Sequence, residues 1–157
     1  MSEKKTIPEE PKGPQFAIQR TYIKDLSFET PMGVKVFTQT FKPKIKLDVN
    51  TRVNNISENV NEIILTLTIT ANLEEETAYL IELQQAGIFA ISGFPDDQTP
   101  HVIGAVCPNF LFPYAREVID STVVKGGFPP LSLAPIDFDA IYRQTQSGNK
   151  KNNKSLN

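Results

Sequence analysis

The chain has very little of the residues from which most enzyme and metal sites are built. It contains one cysteine, Cys107, one histidine, His101, and no tryptophan. A single cysteine excludes an internal disulfide, and this pair cannot complete a structural zinc site without carboxylate ligands. A glycine-rich phosphate loop, a Cys-x-x-Cys pair and a His-Glu-x-x-His motif are also missing. The sequence therefore predicts neither a metal nor a cofactor.

Long apolar runs are missing as well. No stretch approaches the roughly 18 consecutive apolar residues that a membrane-spanning helix requires. Residues 1–15 mix lysines and glutamates with three prolines and show no periodicity, so we expect a flexible arm rather than a signal peptide. These features predict a cytoplasmic protein that does not insert into a membrane.

Charge is unevenly distributed along the chain. The formal net charge is −2, but residues 53–142 hold twelve acidic residues against two basic ones, Arg116 and Lys125. Such a body repels nucleic-acid phosphates and attracts basic protein surfaces, so nucleic-acid binding is not expected. Residues 143–157 carry four bases, no acids and almost no apolar side chains, which predicts a disordered tail.

Four segments show the alternation of apolar and polar residues that is typical of half-buried strands. They cover about residues 16–29, 45–53, 63–70 and 77–91. Strands that follow one another directly predict an antiparallel sheet with one covered face. In the first strand the alternation groups Tyr22 with the inward-facing residues and places Asp25 and Glu29 outward. In the fourth strand it places Leu80 and Glu82 outward.

One long helix is predicted after the strands. Pro113 is typical of a first helical turn, and Gly126 with Gly127 is typical of a helix end. Between them, apolar residues at helical spacing form a stripe for packing on the sheet: Tyr114, Ala115, Val118, Ile119, Thr122 and Val123. A second helix begins near Asp137, which suits an N-cap. The pattern predicts an α+β fold, a four-stranded antiparallel sheet with helices on one face, as one domain over residues 16–142.

The residues alone leave three functions open. Cys107 follows His101 by six residues near a helix start, where a thiolate is stabilised, which permits a cysteine-dependent enzyme. The competing interpretation is that Cys107 is a small buried side chain. Four aromatic residues fit either the core or an apolar groove, which would take extended polypeptide or a small apolar ligand: Phe37, Phe41, Phe138 and Tyr142.

Four longer segments resemble a known family. They are QRTYIKDLSFE at 19–29, EEETAYLIELQQAGIF at 74–89, CPNFLFPYARE at 107–117 and FPPLSLAPIDFDAIY at 128–142. They resemble SecB, a family of bacterial protein-export chaperones. The resemblance implies a homotetramer, built as a dimer of dimers, that binds unfolded preproteins in the cytoplasm. It further implies delivery of these preproteins to the motor protein SecA without ATP and without catalysis.

The resemblance also implies three groups of site residues. The SecA-docking positions of the family fall on Asp25, Glu29, Leu80 and Glu82. Positions linked to tetramer integrity fall on Ile81, Leu83 and Gln85, on the opposite sheet face. The substrate groove is expected at Phe37, Phe41, Phe138 and Tyr142.

Two departures from the family pattern matter. The tail is basic where family tails are often acidic, and the N-terminal arm is longer and proline-rich, with no role assigned to it. In the expected groove, Phe41 stands where the family pattern often has tryptophan. The basic tail puts any contact between the tail and SecA in doubt.

Overall fold

The computed structural model describes the backbone of residues 13–154 and the side chains of residues 13–148. Most of the predicted N-terminal arm, residues 1–12, lies outside the described residues, as do residues 155–157.

Four long strands form one antiparallel sheet in the order β1-β4-β3-β2. Their bounds are β1 Gln15–Glu29, β2 Lys44–Ser57, β3 Val60–Leu73 and β4 Glu76–Ser92. A short 3-10 helix of six residues, Gly33–Thr38, lies in the connection between β1 and β2. Every neighbouring pair is antiparallel. The sheet and its helices confirm the predicted fold class.

The inner face of the sheet forms the core. In β3 the residues Ile63, Leu65, Leu67 and Ile69 are fully buried, and in β4 so are Ile81, Leu83 and Phe89. These residues pair across the strands, for example Leu67 with Leu83. The alternation read from the sequence is therefore correct for both central strands, because a period of two places such residues on one face.

Two bulges in β1 change which side chains face outward. The register shifts between Ile18 and Arg20 and again between Ile23 and Asp25. Because each bulge adds one residue, the alternation is interrupted twice. Tyr22 pairs with Ala86 on the outer face, so its predicted inward position is wrong. Asp25 still faces outward, since the second bulge restores the original phase.

The helical layer covers the inner face. Helix α1, Thr99–His101, continues through a π-helical turn, Val102–Val106, into α2, Cys107–Lys125. The predicted end of α2 before Gly126 is confirmed, but Pro113 lies inside the helix rather than in its first turn. Proline has no N–H to donate to the carbonyl of Asn109, one turn earlier, and both residues are exposed.

Close contact between α2 and β4 depends on a glycine. A Cβ atom built on Gly87 would come within 2.8 Å of the Leu111 side chain and 2.7 Å of Phe89. Any larger residue would therefore force the side chains of Leu111 and Phe89 to move. Gly87 is a point of close packing and not a bulge, since it pairs without a register shift on both sides.

A proline-rich connector leads from α2 to the last helix, α3, Phe138–Lys154. The Asp120 carboxylate anchors the connector by accepting hydrogen bonds from the backbone N–H groups of Leu131 and Ser132 at 3.0 and 3.1 Å. Asp137 caps α3 by accepting one from the Ala140 N–H at 2.9 Å, as its position predicted.

The C-terminal segment differs from the predicted disordered tail. Helix α3 does not end at Tyr142 but continues through residues 143–154. This stretch lacks proline, and six of its twelve residues are the good helix formers lysine, glutamine and arginine, although it also contains Gly148 and three asparagines. Its low apolar content suggested disorder, but helix propensity does not require an apolar core.

Candidate functional site

The outer face of the sheet carries a set of four residues, called here the acidic patch: Asp25, Glu29, Leu80 and Glu82. Glu29 pairs with Leu80, Ser27 with Glu82 and Asp25 with Gln84, and an inward-facing pair lies between each of these rungs and the next. The patch thus occupies three successive outward-facing rungs of the β1–β4 pair, on the face opposite α2. The alternation in the sequence had placed all four residues on this face.

The carboxylates of the patch are free for a partner. Within the described part of the chain, Asp25, Glu29 and Glu82 form no ion pair and no side-chain hydrogen bond. Asp25 and Glu29 are exposed, whereas Leu80 and Glu82 are partly buried between neighbouring strands. Three uncompensated negative charges beside an apolar side chain suit a basic protein surface with an apolar contact.

A second cluster on the outer face was missed at the sequence level. The Glu62 carboxylate accepts hydrogen bonds from the Tyr22 hydroxyl, the Lys24 ammonium at 3.0 and 3.1 Å, and the Asn54 amide at 2.8 Å. These four residues, called here the Glu62 cluster, come from β1, β2 and β3. No spacing in the sequence indicates them, because β1 and β3 are brought near one another only by the strand order.

The Glu62 cluster shifts the acidity of two groups. Hydrogen bonds from Tyr22 and then Asn54, with a smaller effect of Lys24, lower the pKa of Glu62 from 4.5 to about 2 although its burial acts in the opposite direction. Burial and the hydrogen bond to Glu62 raise the pKa of Tyr22 to about 12. At neutral pH Glu62 is therefore ionised and Tyr22 is protonated.

These shifts predict an acid-dependent loss of stability. Because Glu62 has a lower pKa in the folded chain, its stabilising effect is complete above about pH 4.5 and disappears as the pH falls towards about 2. We expect the free energy of unfolding to fall more steeply across this window in the parent protein than in Glu62→Gln. Urea denaturation at several pH values measures both curves. If the two curves were parallel, the low pKa assigned to Glu62 would be contradicted, because every other carboxyl group is present in both proteins.

Phe37 and Phe41 lie in an aromatic cluster at the start of β4. Their rings are 5.4 and 5.3 Å from the ring of Phe128, and Tyr79 lies 4.8 Å from the same ring. Phe128 and Tyr79 are buried, whereas Phe37 is 56% exposed. The sequence singled out the two loop residues but not the two buried ones on which they pack.

Phe138 and Tyr142 lie elsewhere, so the four predicted groove residues do not form one continuous wall. Phe138 is only 4% exposed and packs edge-on against Phe112, which makes it part of the core. Tyr142 is partly buried and lines a recess with Val53 and Ile91, at the other end of β4 from the aromatic cluster. A groove at Tyr142 and one at Phe37 are therefore separate surfaces.

The three tetramer-integrity positions lie on the inner face. Ile81 and Leu83 are fully buried in the core that α2 covers. Gln85 is also buried, and its amide N–H donates to the Tyr22 carbonyl at 3.2 Å while its amide oxygen has no partner among the described residues. Any influence of Ile81 and Leu83 on assembly must act through the position of α2.

A strip of exposed apolar side chains runs along the β1 edge of the sheet and along α2. Tyr114, which was predicted to face the sheet, is 50% exposed. It lines a recess with Ile23, Gln85 and Val118. The strip is defined by the exposed side chains Ile23, Leu26, Phe110, Tyr114 and Val124. The predicted helical stripe thus divides into an inner face that packs on the sheet and an outer face that stays largely exposed among the described residues, apart from the contact of Phe110 with Phe16.

Cys107 lacks the surroundings of a catalytic thiol. The side chain is fully buried, and burial raises its pKa to about 12. The His101 ring bonds to the Asp139 carboxylate and packs edge-on against Tyr142. The thiol is therefore protonated at neutral pH, whereas the reactive form of a catalytic cysteine is the thiolate.

A family comparison decides the classification. The sequence model described as "Preprotein translocase subunit SecB" matches residues 9–149. The chain belongs to the SecB family.

Similar proteins support the same conclusion for the SecB family. The chain is 52% identical over 144 residues to the protein-export protein SecB of Methylococcus capsulatus, covering 92% of this chain and 90% of that protein. It is 55% identical over 131 residues to the one of Marinobacter nauticus, covering 83% and 79%. The family and these names indicate a protein-export chaperone, and neither the enzyme nor the small-ligand hypothesis gains support.

A solved structure supports the SecB-like fold. A SecB-like chaperone of Mycobacterium tuberculosis, in complex with a ChAD peptide from the HigA1 antitoxin, matches with a TM-score of 0.62 at 12% identity. The match covers 77% of this chain and 90% of that chain. Among the described residues, no helix is long and apolar enough to cross a membrane. The same residues contain no group of three or more histidine, cysteine or acidic side chains able to hold a metal.

Proposed function

We propose that this chain holds unfolded preproteins in the cytoplasm and transfers them to SecA, acting by binding and not by catalysis. The observation that supports client binding best is the aromatic cluster, where the exposed Phe37 ring lies on buried Phe128. Exposed aromatic surface on a loop can bind many extended sequences, because apolar side chains are common to all unfolded chains.

The loop that carries Phe37 is anchored by the two residues that precede this side chain. Val36 is buried in the core, and the Lys35 ammonium pairs with the Glu76 carboxylate at 2.9 Å. Both ion-pair partners are exposed, so this link is weak and is screened by salt. Such a loop can adapt to different client segments while Val36 keeps it in place.

SecA docking is assigned to the acidic patch. Support comes from its free carboxylates and from Leu80, which supplies an apolar contact among them. Transfer then requires SecA to occupy the outer face while the client occupies the helix side. The two sites lie on different faces, so both partners can bind at once.

We assign the apolar strip to assembly. Two protomers would pair and two pairs would stack through α2, giving a homotetramer. Phe110 and Tyr114 lie on α2, and Ile23 lies on the edge strand β1. One continuous surface would therefore serve both the contact within a pair of protomers and the contact between two pairs. Several client sites on one tetramer raise the effective affinity, which allows each contact to be weak.

Client binding predicts a local effect of Phe37. Phe37→Ser removes an aromatic ring of which about half is exposed and would be covered by a bound client. We therefore expect an unfolded preprotein to bind about fivefold more weakly. Fluorescence titration measures the affinity, and light scattering measures suppression of aggregation of a refolding substrate.

Ile56→Ser is the matched control, because Ile56 is 54% exposed and lies at the β2–β3 hairpin, away from the aromatic cluster. It should bind clients like the parent protein. Equal affinities in all three proteins would contradict the assignment of Phe37. A parent protein that fails to suppress aggregation at a near-stoichiometric ratio would overturn the chaperone proposal itself.

A further inference from the structure

Lys24 is the basic residue next to the acidic patch. It directly precedes Asp25 in β1 and lies at the bulge that turns Asp25 outward. A lysine has a long, flexible stem and a compact charge that pairs readily with any nearby carboxylate. An unrestrained Lys24 would therefore be expected to neutralise part of the patch.

The Lys24 ammonium instead turns towards Glu62. It lies 3.0 and 3.1 Å from the two carboxylate oxygens of Glu62, which is in β3, two strands away from β1. The side chains can reach across because β4 carries only Ala86 at the rung of Tyr22. Ala86 is fully buried, as expected beneath crossing side chains.

The Glu62 carboxylate is itself held in place. The Tyr22 hydroxyl and the Asn54 amide at 2.8 Å both donate to it, and Glu62 is only 9% exposed. Its low pKa keeps it charged at all physiological pH values. A fixed carboxylate with restricted solvent access competes for Lys24 better than the exposed carboxylate of Asp25, since exposed pairs are weak.

We propose that Glu62 is a positioning residue for docking, which keeps Lys24 away from Asp25 so that the acidic patch stays fully charged for a basic partner surface. This inference rests on the proposed docking of SecA at the patch. Glu62 need not touch SecA, because it acts through Lys24.

The test compares Glu62→Gln with the double variant Glu62→Gln/Lys24→Gln. Releasing Lys24 in the single variant lets it pair with a patch carboxylate, and we expect about threefold weaker SecA binding at low salt, the size of one exposed ion pair. Removing Lys24 as well should restore the parent affinity. Titration calorimetry with purified SecA measures all of these affinities on the full-length protein.

Two further variants serve as controls. Tyr22→Phe removes one hydrogen bond from Glu62 but leaves the ion pair with Lys24, so its affinity should equal that of the parent. Lys24→Gln alone should bind SecA no more weakly than the parent, because it removes a positive charge beside the patch.

The outcomes separate this inference from the docking proposal. A double variant that binds as weakly as Glu62→Gln would overturn the inference, because the loss would then be structural. An unchanged affinity in Glu62→Gln would overturn it too, provided that Glu82→Lys still weakens binding. If Glu82→Lys has no effect either, docking at the patch is the part that fails.

Discussion

Glu82→Lys is expected to weaken SecA binding by about tenfold or more at low salt. Glu82 lies in the middle rung of the acidic patch, between the rungs of Asp25 and Glu29. The substitution changes the local charge by two and places a positive charge against a basic partner. Juxtaposed like charges at an interface cost several kcal/mol, and about 1.4 kcal/mol already corresponds to a tenfold loss.

Salt dependence gives this prediction a second readout. At about 1 M salt the Debye length is about 3 Å, so the difference between Glu82→Lys and the parent should shrink strongly. Glu58→Lys makes the same change of charge at the exposed β2–β3 turn, at the other end of the sheet, and should leave SecA binding nearly unchanged. An equal loss in both variants would point to net charge rather than to the patch.

Tyr114→Glu should break the proposed tetramer into smaller species. Tyr114 is half exposed in the isolated chain and lies on the apolar strip beside Ile23. Burying a glutamate in an apolar interface without a partner costs several kcal/mol at each copy of the contact. Light scattering should report the mass of four 17.5 kDa chains for the parent and a lower mass for the variant.

The matched control for assembly is Asn109→Glu. Asn109 is exposed on the same helix but lines a recess with Phe138, on a different side of α2 from Tyr114. It introduces the same charge and should leave the mass unchanged. A parent protein that is monomeric, or a Tyr114→Glu tetramer, would refute the role of the strip.

The central strands could be read from the sequence, whereas the edge strand could be read only in part. Leu67 and Leu83 face the core because nothing interrupts the alternation around them. In β1 the two bulges move Tyr22 to the outer face, and no residue type in the sequence marks either bulge. Asp25 was nonetheless placed correctly, because the second bulge cancels the effect of the first.

Long-range contacts were the part that could not be predicted. Glu62 in β3 and Lys24 in β1 are separated by β4. Their side chains meet above β4 because that strand carries the small residue Ala86 where they cross it. Likewise, Phe37 and Tyr142 looked like parts of one groove, but Phe37 packs on Phe128 beside Tyr79, near the start of β4, whereas Tyr142 lines a recess with Ile91 near the end of β4. Local patterns record which face a residue occupies, and they do not record how far apart two segments lie.

The two bulges of β1 leave the register of this strand to its side chains. Both extra residues lie in β1, opposite segments of β4 that pair with β3 without a shift. If β1 slipped by one residue, its bulges would again lie opposite regular segments of β4, so the backbone hydrogen bonds do not select the observed register. The side chains do, because the slip would turn Asp25 and Glu29 towards the core and Leu26 and Phe28 towards solvent.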